Sequence, residues 1–460
     1  MAKLAALSAY FYQAALAFGL LIAISNLLTP ADYAAYSLFV SLVQFAGIAF
    51  FEWLRFACSR FYPGPDPQSE ATERGVITVE FLASAGLCLL SAALALVLDM
   101  PGWVGIAGAA TAILQGGGEL HLTMLRFRQE FRLFSWLQGS RASIIAAATL
   151  GGAMVSADFE HLVIAGLLGN LLYGLVALVA SRRILPFAPR WDAAVSRQHV
   201  AYGSVSAGAS VAGMLAPLGF KAILTGALGP AGAAGPMLAL DLLQKPFVLI
   251  VSAIQAIRYP MLVTLFDREA ETGELGRELG RYYALLAGFA VMVAAGIIAA
   301  LDAAALLVIA ADLREPFLRT APLITLMALM RALIQTLLPT AAHLRRRLAT
   351  IALLAVVDCV LMCGGALLAV RLSGGSDVAI VAGAAAGAAL ALAGGLAILR
   401  LLPFELPRLP LAAALAALAA AWGARAWLGA DVWLSTGIAL AGAAVASLPV
   451  LPRMLRWLAR

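Results

Sequence analysis

The feature that most constrains this chain is how far apart its charges are kept. Runs of about twenty apolar residues recur from end to end, broken only by short charged or turn-forming segments. Twenty residues of helix rise about 30 Å, the thickness of a bilayer's hydrocarbon core. Fourteen such runs are read, near 5–28, 34–57, 76–98, 102–124, 133–155, 161–180, 201–226, 236–258, 281–301, 318–341, 350–370, 377–399, 410–428 and 432–451. The first, after Met1-Ala-Lys3, is too long for a signal-peptide core, lacks an A-x-A site and is followed by further spans, so it reads as a span itself. Inside a membrane the backbone must satisfy its own hydrogen bonds. That leaves helices for runs of this length, which exceed barrel strands. The least defined connection is 302–317, where Ala303–Ala310 could prolong the ninth span. With 63% apolar and 12% charged residues, the chain cannot supply the polar surface of a soluble globule.

The distribution of arginine tests the span count. On alternate connections fall Arg60 and Arg74; Arg126, Arg128 and Arg132; Arg182, Arg183, Arg190 and Arg197; Arg268 and Arg277; Arg345 to Arg347; Arg400 and Arg408; and the tail Arg453, Arg456 and Arg460. The other side has only Arg314, Arg319, Arg371 and Arg425. By the positive-inside rule the Arg-rich side and both termini are expected in the cytoplasm. The net charge of +6 is therefore a topology signal. No basic patch is interleaved with aromatics, and no nucleic-acid partner is expected. Cys58, Cys88, Cys359 and Cys363 lie in or beside apolar runs, and the four histidines are scattered. No metal site and no cofactor are expected.

An internal repeat is visible. Leu28-Thr-Pro30 at the end of the first span matches Leu228-Gly-Pro230 after the seventh. Arg60-Phe-Tyr62-Pro63 after the second matches Arg258-Tyr259-Pro260 after the eighth, and Leu125-Arg126-Phe-Arg128 has a looser counterpart in Leu344-Arg345-Arg-Arg347. Six spans per unit, an even number, make a parallel repeat with a pseudo-two-fold along the membrane normal. The expected organisation is residues 1–180 as one lobe, 181–200 as a linker, 201–399 as a second lobe, and 400–460 as an additional helix pair with a tail. A short interfacial or linker helix is expected in 259–280, around Asp267–Arg277.

This layout, with L-T-P-A-D-Y-A-A-Y at 28–36 and R-F-R-Q-E-F-R-L-F at 126–134, resembles the polysaccharide transporter family. These are lipid-linked oligosaccharide flippases of the multidrug/oligosaccharidyl-lipid/polysaccharide superfamily. The resemblance covers the span layout and is densest in 20–145 and 228–260. Ala34 stands where members often have glycine. It implies an all-α polytopic membrane protein of about fourteen transmembrane helices, with two pseudo-symmetric six-helix lobes around a central cavity plus an appended pair. It also implies alternating access, a polyprenyl-pyrophosphate-linked oligosaccharide as substrate, and no catalytic residues. The bacterial inner membrane is the implied setting, with membrane lipids and polysaccharide polymerase or export machinery as partners.

Charged residues inside the spans are the candidates for function. Glu52, Glu80, Glu119, Lys221, Asp241, Lys245, Arg331 and Asp358 were they all lipid-facing would cost about 24 kcal/mol at ~3 each. That exceeds the net stability of a domain, roughly 5–15 kcal/mol, so most must be paired, near an interface or in water. Glu52, Glu80 and Glu119 lie toward span ends, and Arg55 is one turn from Glu52. Asp241 and Lys245 have the i, i+4 spacing of a helical ion pair. Lys245, Arg331 and Lys221 would make an electropositive wall suited to a pyrophosphate. Asp241 and Asp358 are candidates for ion coupling or charge pairing, and Pro246 for a helix kink. Two other functions compete. A cation-coupled multidrug exporter of the same superfamily would favour an acidic cavity. A membrane glycan polymerase or ligase would need catalytic residues on a large outer loop, and the longest one, 302–317, has no histidine.

Overall fold

The computed structural model describes residues 2–93, 101–268, 272–427 and 431–459, and within them each of the expected spans falls on helix. The end of the third span near 98 and the last residue of the thirteenth, Leu428, lie outside the described residues. No strand occurs among the described residues. The chain is an all-α polytopic membrane protein. Nine of its described helices are long and apolar enough to cross a membrane, or ten if Val432–Ser447 and Leu451–Leu458, bent by 62°, count as one. One of the nine, Ala193–Asp267, contains both the seventh and the eighth expected spans.

The chain forms two compact units, Met1–Leu218 and Gly219–Arg460. The first holds α1 (Ala2–Leu27), α2 (Pro30–Phe61), α3 (Pro67–Ser91), α4 (Gly102–Phe127), α5 (Phe131–Val155), α6 (Phe159–Ser181) and the beginning of α7 (Ala193–Leu243). Its core gathers Phe51, Leu54, Ile77, Leu125, Leu137 and Tyr173. Helix starts are set by local chemistry. Thr29 accepts from the Asp32 amide and Asp66 from those of Gln68 and Ser69, each with proline at the next position, where no amide is needed. Asp66 is why α3 begins nine residues before the expected third span and takes Glu70, Glu73 and Arg74 out of the loop. One face of α6 is left to lipid: Leu168, Leu172, Leu175 and Val179 are 52–65% exposed.

The second unit holds the rest of α7, then α8 (Lys245–Asp267), α9 (Thr272–Val308), α10 (Ala311–Thr336), a short α11 (Pro339–Leu344), α12 (Leu348–Ser373), α13 (Asp377–Gly395), α14 (Arg408–Trp427), α15 (Val432–Ser447) and α16 (Leu451–Ala459). The helix α9 runs through Val308, so the apolar part of 302–317 does prolong the ninth span. At its other end α9 absorbs Glu274–Arg277 in one continuous helix. The separate short helix expected in 259–280 is therefore corrected on the described residues; 269–271 lie outside them. The added pair α14–α15 packs on α9, where Arg425 grips Asp302 with two bonds of 2.7 and 3.0 Å. Between α12 and α13, Gly365 faces Gly383 and Gly387 faces Leu361, backbone against backbone, the close approach that small residues permit between membrane helices.

The repeat is written in backbone geometry. Pro30 starts α2, and Pro230 follows Gly229, whose φ of 70° breaks α7 into two helical arms. After α4 the amides of Arg128, Gln129 and Glu130 bond the carbonyls of Met124, Arg126 and Leu125. After α11 those of Arg345, Arg346 and Arg347 bond Ala341, His343 and Ala342 with the same offsets. Gln129 and Arg346 both take positive φ, 63° and 54°. The structural equivalence is thus Arg128 with Arg345, two positions from the sequence match. The Tyr62 and Tyr259 sites diverge: α2 ends at Phe61, whereas α8 continues through Pro260 to Asp267.

Candidate functional site: a charged cleft in the first unit

The first unit carries a cleft built from α1, α2, α4 and α5. Two adjoining cavities of about 300 and 360 Å³ share Arg55 and Glu119 in their walls. Gln44, Glu52, Gln115 and Arg141 line the first; Gln13, Ser59, Thr123, Arg126 and Gln138 line the second. Arg55 bonds Glu52 one turn back on α2, and Arg141 of α5 bonds Glu119 of α4. Three arginines thus face two glutamates, leaving the cleft positive. Arg55 and Glu119 side chains are 44% and 43% exposed, whereas those of Arg141 and Glu52 are 10% exposed. The deep pair members hold the outer ones in place, and their polar ends remain toward the cavity.

The glycine run Gly116-Gly117-Gly118 makes this geometry. A Cβ at Gly116 would stand 2.6 Å from the Phe51 ring of α2, at Gly117 3.0 Å from Phe81 of α3, and at Gly118 2.9 Å from Tyr173 of α6. Three neighbours therefore close on α4 at one level. That leaves Gln115 and Glu119, either side of the run, to project into the cavities. The Tyr173 ring centroid also lies 5.9 Å from the Arg141 guanidinium, a cation–π contact.

Arg141 lies within the fifth expected span and is not among the charged residues that sequence reasoning singled out. Its signal was legible: an arginine mid-run between Trp136 and the apolar stretch from Ile144. Glu52 and Arg55 are brought together in the cleft with Glu119. Glu80 is placed elsewhere, on α3 against His199.

The second unit organises its charges as buried pairs. Lys221 Nζ is 2.6 Å from Asp241 Oδ1, and Arg331 Nε is 3.2 Å from Asp358 Oδ2. Lys221, Arg331 and Asp358 are 3%, 5% and 1% exposed. The ion pair of Asp241 is therefore with a residue twenty positions back, where i, i+4 spacing pointed to Lys245. The break at Gly229-Pro230 explains it: the two arms of α7 fold back on each other and bring Lys221 beside Asp241. Lys245 is half-buried, near both of these charges. Arg331, expected as a substrate-facing cation, has its guanidinium engaged by Asp358, because a charge this deep needs a counter-ion. The helical bonding is interrupted at Gln244, whose backbone stays right-handed helical (φ −80°, ψ −22°), two residues before Pro246, which has no amide to donate to the Leu242 carbonyl.

No family model and no curated protein matches the sequence. Among solved structures the chain is similar to the lipid II flippase MurJ in an inward closed conformation, with a TM-score of 0.75 over 98% of this chain and 99% of that one at 9% identity. It is also similar to a multidrug resistance MATE family transporter of the MOP superfamily. The inward-facing form matches with a TM-score of 0.66, 85% of this chain, 94% of that one and 15% identity. The outward-facing form gives 0.56, 85%, 96% and 13%. The chain has the all-α fold shared by the MurJ and MATE transporters of the MOP superfamily.

Proposed function

We propose that the protein is a flippase that carries a polyprenyl-pyrophosphate-linked oligosaccharide from the cytoplasmic to the outer leaflet by alternating access. The observation that carries this reading is the cleft of the first unit, where Arg55, Arg126 and Arg141 outnumber Glu52 and Glu119. A pyrophosphate leaving water needs cations and bidentate donors, and arginine supplies both. The amides of Gln13, Gln44, Gln115 and Gln138 and the hydroxyls of Ser59 and Thr123 offer the neutral donors and acceptors that sugars use. Similarity to a lipid II flippase over nearly the whole chain supports a lipid-linked substrate.

In this reading the protein does no covalent chemistry. It sits in a bacterial cytoplasmic membrane with both termini inside and hands its cargo to polymerase or export machinery. Lys245 remains the second unit's candidate for contact with the pyrophosphate. Lys221 and Arg331, with Asp241 and Asp358, act mainly as paired charges that fix the helices around it. A multidrug exporter, the reading favoured by the MATE likeness, would present its acids to a cationic drug, but here each acid of the cleft is held by an arginine. The test is deletion in a host without a redundant flippase, followed by assay of surface glycan and of lipid-linked intermediate on the cytoplasmic face. Loss of glycan with accumulation of the intermediate, restored by the intact gene, is expected. Unchanged glycan refutes the proposal.

A further inference from the structure

His199, in the second turn of α7, is wholly buried. Its ring stacks on Phe61 of α2 with centroids 5.5 Å apart, and Tyr202 packs edge-on against the same Phe61. Nδ1 lies 2.8 Å from Glu80 Oε2, and Nε2 lies 2.8 Å from Glu73 Oε2, both on α3. Each ring nitrogen therefore faces a carboxylate oxygen. A neutral imidazole has one N–H, and its other nitrogen is an acceptor. With both glutamates ionised, one of the two contacts would set lone pair against lone pair at hydrogen-bond distance. The geometry needs one more proton than that state holds, and the ring, with a carboxylate oxygen at each nitrogen, takes it as imidazolium and donates to both. Glu80 Oε1, buried and without a hydrogen-bond partner, marks the same corner as short of donors. The two carboxylates lie on opposite edges of the ring, and no metal-binding cluster is present among the described residues.

We propose that His199, Glu73 and Glu80 form a proton-binding latch, in which uptake of one proton fastens the first turns of α7 to α3 and its release loosens them. The latch sits at a consequential place, because α7 is the helix in which the chain passes from one compact unit to the next. One turn beyond His199, Gly203 lies directly on the Trp53 backbone of α2, so this segment is held close along its length. The groups facing the ring are the two glutamates of α3, Phe61 of α2 and Tyr202 of α7. Arg126 of α4 approaches the same corner through Cys58, near Glu73, while Arg60 and Arg197 are exposed. Binding of the proton turns two repelling carboxylates into two charge-assisted bonds. The latch is complete while the proton is bound and opens as pH rises and it is lost.

The test uses the full-length protein in lipid nanodiscs with ¹⁵N-labelled histidine, the His199 signal being identified by its loss in His199→Gln. At pH 7.5 a free histidine is about nine-tenths neutral. The expected result is a His199 ring still carrying both protons there. Amide exchange of residues 193–204, corrected for intrinsic rates, should quicken tenfold or more as pH is raised through the ring's titration. Glu80→Gln should move that titration to lower pH by a unit or more. A ring that is neutral at pH 7.5 in the unmodified protein, or exchange in 193–204 that ignores its titration, overturns the proposal.

Discussion

Removing one member of the Arg331–Asp358 pair separates a structural charge from a substrate-binding one. At the 3.2 Å separation and an effective dielectric near 20, the attraction is about 5 kcal/mol before desolvation is subtracted. Desolvation offsets much of that, so the pair as a whole is close to neutral relative to well-packed apolar residues. Truncating one partner is different, because it strands the other. With side chains 6% and 2% exposed, water cannot rescue the remaining charge, and a loss of about 3–5 kcal/mol is expected. The two single variants should not be equal. A carboxyl left alone can neutralise itself by taking a proton, whereas a guanidinium cannot, so Asp358→Ala should be the more damaging. The double change Arg331→Met with Asp358→Leu should restore most of the stability. The assay is a double-mutant cycle of unfolding in mixed micelles, with reconstituted transport measured alongside. Single variants that unfold like the intact protein, or a double variant no better than the worse single one, would refute the reasoning. A stable double variant that transports would remove Arg331 from substrate contact.

Other expectations follow from local geometry. Gly116→Val should cost about 1–3 kcal/mol, because its Cβ alone would press into the Phe51 ring 2.6 Å away; thermal denaturation in detergent checks this. Asp302→Ala should loosen the α14–α15 pair from α9 by about 1–3 kcal/mol, the value of a charge-assisted hydrogen bond, seen as faster amide exchange in 408–447 with little change in α1–α6. Asp158, ahead of α6, accepts from the His161 amide, then from Ser156 and the His161 ring, which holds its carboxyl well below the usual carboxylate range. A lowered value stabilises the folded state above the unfolded-state pKa and is lost as pH falls through the folded one. The start of α6 should therefore stay protected from exchange down to about pH 4. Fraying near pH 6 would contradict this.

The fourteen apolar runs were legible as helices because membrane helices advertise themselves by length and apolarity, and nine or ten of the described helices are long and apolar enough to cross. Helix ends were less so. Glu70, Glu73 and Arg74 read as loop until the Asp66 cap and Pro67 are seen to start a helix beneath them. Charge pairing followed tertiary rules that spacing does not record. The i, i+4 rule favoured Lys245 for Asp241, yet Gly229-Pro230 turns the chain back and delivers Lys221. The cleft was half visible. Glu52 and Arg55 share a helical face, but Glu119 meets Arg141 across two helices, and nothing in the linear order links them. The Gly116–Gly118 run sets the distance between α4 and three neighbours, a role the linear sequence does not declare. Likewise the turns at 128–130 and 345–347 share bonding while sharing little sequence.

The most direct measurement of the central claim is flipping by the purified protein in vesicles. A fluorescent polyprenyl-pyrophosphate glycan would be the substrate, and the comparison would be between the intact protein and Arg55→Ala with Arg126→Ala. Both residues face the cleft; because Arg55→Ala leaves Glu52 without its partner, folding of the double variant is verified by thermal denaturation alongside. The account predicts a tenfold or greater loss of flipping, or about 1.4 kcal/mol at the least, with a smaller loss for the corresponding lysine replacements. Undiminished flipping by a folded double variant would contradict the assignment of the cleft to the pyrophosphate.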